Sequence, residues 1–246
     1  MKTKTYLIVS VALLMGVSVW AQEPVTVSIY DDCSKNGKTE DIRSVGEENG
    51  HTRVDLGLPS GLKWASCNVG AYAPEDYGYY YAWGETTRRK DLTWLSYKYA
   101  NSNQHELTKY CNDASFGYKG FTDYKTTLKP EDDAAHVNWG GNWRMPTDAE
   151  WKELIENCTW TWARKNGVNG YEVASKTNSN SIFLPAAGEL YFNERYNTVG
   201  SRGNYWSSSL STDEPDLARH LVFSSNYAVS GDQYRNNGFS VRPVCP

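Results

Sequence analysis

Four histidines, His51, His105, His136 and His220, could ligate a metal or move protons, but they stand scattered with no ligand spacing. Five cysteines, Cys33, Cys67, Cys111, Cys158 and Cys245, are equally dispersed. Gly200-Ser-Arg-Gly203 has no glycine two residues before its serine, so it lacks the strained turn of a nucleophile elbow. Glu85 beside Trp83, and Glu189 with Glu194, have the residue types of a glycosidase pair. With 29 acids in the chain, such pairs arise by chance. Glu131-Asp132-Asp133 could suggest calcium but lacks the ordered spacing of a calcium loop. After Pro130 it reads instead as acids in the first turn of a helix. These residues point to no catalytic residues and no metal site, and the chain reads as a non-enzyme.

Binding is the better-supported chemistry. The chain carries 10 tryptophans and 18 tyrosines, more aromatic surface than a core of this size needs. Trp64, Trp83, Trp139, Trp143, Trp151 and Trp206 are read as structural. Between Glu189 and Asn237, tyrosines and arginines alternate with Asn, Asp, Ser and Gly, the composition of adaptable paratopes. The candidate ligand-binding residues are Tyr191, Asn193, Arg195, Tyr196, Asn226, Tyr227, Asp232, Tyr234 and Arg235. The expected ligand is a protein outside the cell, met by Tyr and Arg anchors. The alternative is a glycan, held by a carbohydrate-binding module with calcium assistance.

The elements that must position these residues are legible in part. Val54 to Val69 reads as two short strands around a Pro59-Ser-Gly61 turn, and Tyr77 to Trp83 as a Tyr-rich strand. Residues 85–129 have little periodicity and predict long loops. A helix is expected from Pro130 to His136, broken at Trp139-Gly-Gly141. A second follows Thr147, where Thr147 and Glu150 form a capping box and Trp151, Leu154, Ile155 and Cys158 make one apolar stripe. Ile182–Ala187, Tyr205–Leu210 and Ala218–Ser224 read as strands, Gly231-Asp232 and Asn237-Gly238 as hairpin turns, and Phe239–Val244 as a last strand. This order of elements is α+β.

Residues 1–21 read as a signal peptide, with Lys2 and Lys4 before an apolar run and Val19-Trp20-Ala21 before the cut. No later segment is apolar enough for a membrane span. Residues 22–50 read as an acidic flexible spacer, in which only Val25–Tyr30 could pair as a strand, and 51–246 as one domain. Loss of Lys2 and Lys4 moves the formal charge from −4 to −6, which argues against a nucleic-acid partner. The protein is expected outside the cytoplasm, secreted or at the cell surface. There a disulfide among Cys67, Cys158 and Cys245 is expected, and spacing does not choose the pair.

Several blocks occur in order: Val54-Asp-Leu-Gly-Leu-Pro-Ser-Gly-Leu-Lys-Trp64, Cys67-Asn-Val-Gly70, Ala82-Trp-Gly-Glu-Thr86 and Trp139-Gly-Gly-Asn-Trp-Arg-Met-Pro-Thr147. Ile182-Phe-Leu-Pro-Ala-Ala-Gly188, Tyr205-Trp-Ser-Ser-Ser209 and Ser240-Val-Arg-Pro-Val244 complete the set. Together they resemble the Fibrobacter succinogenes major paralogous domain family of bacterial secreted and surface proteins, over residues 51–246. Trp143-Arg-Met-Pro-Thr-Asp-Ala-Glu-Trp151 also resembles a signature of formylglycine-generating-enzyme-like domains. The resemblance implies a C-type-lectin-like fold with two helices, short antiparallel sheets and long loops. It carries over no activity. Cysteine oxidation of the formylglycine type needs two neighbouring cysteines near the C-terminus, and Cys245 stands there alone. The related iron enzymes need clustered histidines.

Overall fold

A computed structural model describes residues 45–191, 198–246 and the backbone of 194–195. Twelve strands and two α-helices follow in order. They are β1 (Val45–Glu48), β2 (His51–Asp55), β3 (Lys63–Ala65), α1 (Ala134–Trp139), α2 (Asp148–Asn157), β4 (Cys158–Lys165) and β5 (Val168–Ser175). Then come β6 (Ser181–Pro185), β7 (Leu190–Tyr191), β8 (Glu194–Arg195), β9 (Arg202–Leu210), β10 (Leu217–Ser224), β11 (Tyr227–Tyr234) and β12 (Val244–Cys245). They pair as β1-β2-β3-β12, β11-β10-β9, β4-β5-β6 and the ribbon β7-β8, all antiparallel. Among the described residues no helix is long and apolar enough to cross a membrane.

This architecture corrects the α+β, C-type-lectin-like expectation. Strand accounts for 37% and helix for only 11%, so the protein is mostly β. The helices anticipated are short, six and ten residues, and much of the added strand lies in β4, β5 and β11. The folded region also begins before His51, because β1 pairs with β2 across Asn49-Gly50, inside the range read as spacer. The Val25–Tyr30 strand and the signal segment lie outside the described residues.

Local chemistry explains the helices. Thr147 accepts from the Glu150 amide while the Glu150 carboxylate takes the Thr147 amide, so both bonds of the capping box form and add about 1 kcal/mol. Trp151 and Leu154 face the core and Cys158 closes the stripe as the first residue of β4. The Pro130 helix is split: Pro130–Asp132 is a single 3₁₀ turn, and α1 restarts behind Asp133. Asp133 Oδ1 caps the amides of Ala135 (2.8 Å) and His136 (3.0 Å), and Oδ2 takes the Met145 amide at 2.8 Å.

The sheet β11-β10-β9 stands between two apolar cores, and strand alternation feeds both. Tyr205, Leu221 and Phe223 enter a core built on Trp64, Trp151, Val173 and Val244. Trp206 and Ala218 enter the other, with Trp83, Trp143, Phe239 and Val241. The same alternation divides Trp64 from Ala65 on β3 and Val244 from Cys245 on β12. Of the other strand and turn expectations, Tyr77–Trp83 forms only a bridge, Tyr81 to Phe239. Gly231-Asp232 lies inside β11, since the chain reverses at Ser225-Asn226. The turn expected at Asn237-Gly238 falls two residues earlier, at Arg235-Asn236, closed by Asn237 N–H on Tyr234 O. Phe239–Val244 is wholly buried but pairs piecemeal, with Tyr81, Tyr205, Arg144 and Trp64 in turn.

The expected disulfide is corrected too. Cys158 and Cys245 are free, buried thiols, as is Cys111, so no bridge joins Cys158 or Cys245 to Cys67. Cys67 is disulfide-bonded outside that set. Burial pushes the Cys158 thiol up to about 11, which keeps it protonated.

The loops between β3 and α1 are held by buried polar groups. Arg235 is fully buried. It donates through Nε to Tyr97 Oη (3.0 Å), through Nη1 to the carbonyls of Tyr110 (3.0 Å) and Pro215 (2.8 Å), and through Nη2 to that of Lys109 (3.0 Å). Its guanidinium also lies over the Trp83 ring at 4.9 Å. Beside it, buried Asp132 accepts from Tyr99, Tyr110, Lys98 and Lys109. Arg242, also fully buried, donates to Asn68 Oδ1 (2.8 Å) and to the carbonyls of Ala65 (3.0 Å), Ser66 (2.9 Å) and Phe183 (2.9 Å).

Two predictions follow from this packing. A Cβ on Gly203 would lie 2.1 Å from Cζ of Phe223, its cross-strand partner, whose ring is buried and stacked on Tyr205. Gly203→Ala should therefore cost about 1–3 kcal/mol, read as a lower urea midpoint with unchanged m; an unchanged midpoint would mean the Phe223 ring yields freely. The second concerns acid. Burial pulls the His220 imidazole from 6.5 down to about 4. Burial pushes Asp132 up, but its bonds from Lys109, Tyr110 and Tyr99 outweigh that and bring it from 3.8 to about 2. Both folded values lie below the unfolded ones, so both contributions are complete at neutral pH and vanish as pH falls. The His220 contribution, about 3 kcal/mol, goes between pH of about 6.5 and 4; that of Asp132, about 2 kcal/mol, goes between about 4 and 2. Urea unfolding from pH 7 to 3 should show His220→Leu flattening the upper window and Asp132→Asn flattening the lower. Wild-type stability that stays constant down to pH 4 would contradict the assignment.

Candidate functional site

The segment from Tyr234 to Phe239 is the spine of the best candidate surface. Phe239 exchanges backbone bonds with Tyr81, and Gly238 exchanges them with Leu190 at the start of the β7-β8 ribbon. A Cβ on Gly238 would lie 2.8 Å from Leu92 Cδ1 and 3.1 Å from Leu190 Cβ, so the approach is tight and a larger residue would have to displace the Leu92 side chain. Asn236 Nδ2 donates to the Leu92 carbonyl at 2.8 Å. The loop 85–98 is thereby seated on the spine beside the ribbon.

That loop is closed by one carboxylate. Glu85, 2% exposed, accepts the Lys98 amide on Oε1 at 2.8 Å, while Arg89 Nε pairs with Oε2 at 2.6 Å. Burial pushes the Glu85 carboxyl up, against the pull of the Lys98 amide and of Arg89. Tyr97 Oη donates to the Trp83 carbonyl at 2.7 Å, and Asn138 Nδ2 donates to that of Thr86 at 3.0 Å. Outside these anchors Trp94 stands edge-on to Tyr97 (5.5 Å, 88°) and to Tyr234 (6.2 Å, 83°). Leu95 is 76% exposed and Tyr234 40%. Arg88 lies over the Tyr79 ring at 3.8 Å.

The sequence-derived candidates do not form one site. Tyr234 belongs to this surface, and half-buried Tyr191 follows Leu190 at its edge. Asn226 and Tyr227 sit at the far end of the β10-β11 hairpin, seven strand steps or about 23 Å from Tyr234. There the Tyr227 hydroxyl accepts from Arg202 at 3.1 Å. Asp232 is paired with Arg219, which also meets Asp148 at 3.3 Å, so it ties β10 and β11 to α2. Arg235 is corrected outright: a fully buried guanidinium whose donors hold carbonyls is a fastener of the scaffold. Arg195 is described only as backbone in β8, and Asn193 and Tyr196 lie outside the described residues.

Trp94 and Leu95 were not among the expected ligand residues. Their signal was present: two large apolar residues, adjacent, in a polar segment without helix or strand periodicity to bury them. The surface offers rings, an aliphatic tip and cations. Among the described residues no three His, Cys, Asp or Glu side chains gather where a metal ion could be held.

Residues 162–244 match a family model described as a domain of unknown function (DUF8237). The similarity covers about a third of the chain, from within β4 to Val244, and includes Tyr234 with the two buried arginines. No curated protein and no solved structure matches the chain.

Proposed function

We propose that this is a secreted or surface-exposed, non-catalytic recognition or adhesion protein that binds a protein ligand through its C-terminal loop face. The carrying observation is that Tyr234, beside Trp94, stays on the surface while the residue after it, Arg235, fastens the surrounding loops from within. Large rings on a pre-ordered base give contact area with little entropy lost on binding. Tyr191, across the Leu190–Gly238 pairing, widens the same face. We also propose membership of the Fibrobacter succinogenes major paralogous family, without the fold it implied. The sequence blocks that follow in order from Val54 to Val244 support this.

The test is binding of the purified protein to immobilised extracellular glycoproteins, with and without enzymatic glycan removal, alongside a glycan array with and without chelator. Expected are binding that survives both treatments and a loss of at least about tenfold in the Tyr191→Ala/Tyr234→Ala variant at unchanged melting temperature. Binding confined to defined glycans and abolished by chelator would replace this reading with the calcium-assisted carbohydrate module. Silence in every arm would sink both.

A further inference from the structure

Leu92 and Leu95 belong to one loop and meet opposite fates: Leu92 is 3% exposed, Leu95 76%. The difference is built in. Thr93 N–H donates to Asp91 Oδ1 at 3.2 Å, and Ser96 Oγ donates to the carbonyls of Asp91 (3.0 Å) and Thr93 (3.1 Å). The Ser96 amide closes the turn on Thr93 O at 3.2 Å, and Arg89 donates to the Ser96 carbonyl. These bonds fix a tight tip that holds Leu95 in water, while Trp94 behind it is half-buried and packs on the core. A lone exposed leucine is ordinary, but Leu95 extends an apolar surface that runs through half-buried Trp94 to Tyr234, which Trp94 meets edge-on at 6.2 Å.

Charge indicates what receives it. Residues 85–98 carry Arg88, Arg89, Lys90 and Lys98 against Glu85 and Asp91, a local +2 in a chain of net −4. Glu85 is buried and neutralised by Arg89, and Lys98 leans toward Asp132. Arg88 and Lys90 are exposed, and among the described residues neither reaches a carboxylate. A sugar-binding platform offers a flat ring face beside Asp or Asn, whereas this loop leads with a branched aliphatic tip flanked by cations. Leu95 is 76% exposed at the turn, so a partner that buries it must enclose its side chain.

We infer that residues 85–98 form a docking loop whose tip, Leu95 beside Trp94, enters an apolar pocket on a protein partner, with Arg88 and Lys90 meeting carboxylates at the pocket rim. The inference rests on the recognition reading above and specifies the partner's surface. The apolar anchor supplies affinity, and the rim charges supply encounter rate and selectivity.

The test places p-benzoylphenylalanine at Leu95, at Tyr191 or at the exposed Tyr72 in separate full-length chains, each photo-crosslinked to envelope and secreted proteins of the producing organism. Expected is one dominant product from position 95 and none from 72. Its crosslinked peptide should map to apolar residues within an acidic surface. The yield should fall at least about fivefold in the Arg88→Glu/Lys90→Glu background and at roughly 0.5 M salt. Unlabelled Leu95→Asp protein should compete about ten- to hundredfold less well than wild type, with the same melting temperature. No product from 95, a product insensitive to charge reversal, or a basic crosslinked surface overturns the inference. A product from 191 without one from 95 overturns it while leaving the recognition reading intact; none from either sinks both.

Discussion

A buried guanidinium that donates to backbone carbonyls is the interaction on which this structure depends. Between β3 and α1 the chain runs through more than sixty residues with almost no ladder of its own, only turns and isolated bridges. Its interior carbonyls still need donors. Arg235 supplies two such bonds, to Lys109 and Tyr110, and ties them to Pro215, while Arg242 supplies one, to Ser66, and ties it to Ala65 on β3 and Phe183 on β6. Burial depresses Arg242 to about 10, so the group remains charged at neutral pH. Neither arginine is ion-paired to a carboxylate among the described residues. The desolvation of each is met by four hydrogen bonds from its five N–H donors and, for Arg235, by the rings of Trp83 and Tyr97.

This polar fastening sits inside an ordinary apolar frame. The β11-β10-β9 sheet supplies both cores because neighbours such as Tyr205 and Trp206 point to opposite faces. The indoles are joined to the backbone as well: Trp206 Nε1 donates to Tyr81 O at 2.8 Å and Trp83 Nε1 to Ser207 O at 2.8 Å. Trp83 and Trp206 thus contribute area and direction together, locking a loop with no strand of its own to the β11-β10-β9 sheet.

Local rules were legible in the sequence, and long-range ones were not. The Thr147–Glu150 box, the Trp151 stripe, β2 with β3, and β10 could be read because their signals lie within a few residues of one another. The α+β class could not, because helical punctuation is conspicuous over short spans while β4 and β5 hide in turn-rich polar sequence. Gly231-Asp232 carried a stronger turn signature than Ser225-Asn226, yet pairing of Phe223 and Leu221 into the core set the register and placed the turn. Arg235 was misread for a related reason. Its neighbours are those of a binding loop, and composition does not tell which way a guanidinium points. The exposure of Leu95 is not written in composition, because it is decided by a turn closed on Asp91 and Thr93 that is too short to bury it.

The choice of carbonyls as acceptors bears on what such a scaffold can do. A fastener that grips side chains constrains the residue types it holds, but one that grips the main chain constrains only its path. Arg235 holds Lys109, Tyr110 and Pro215 by carbonyls that any residue carries, although the Lys109 and Tyr110 side chains are held separately by Asp132, and Asn236 likewise holds Leu92 by its carbonyl. The loop surface can therefore change its side chains while its anchors stay the same. Glu85 extends the principle, since it closes the 85–98 loop on the Lys98 amide, whatever side chain stands there. A structure fastened in this manner would suit the proposed recognition role, because exposed Leu95 and Tyr234 are distinct from Arg235, Asn236 and Glu85, which hold the main chain.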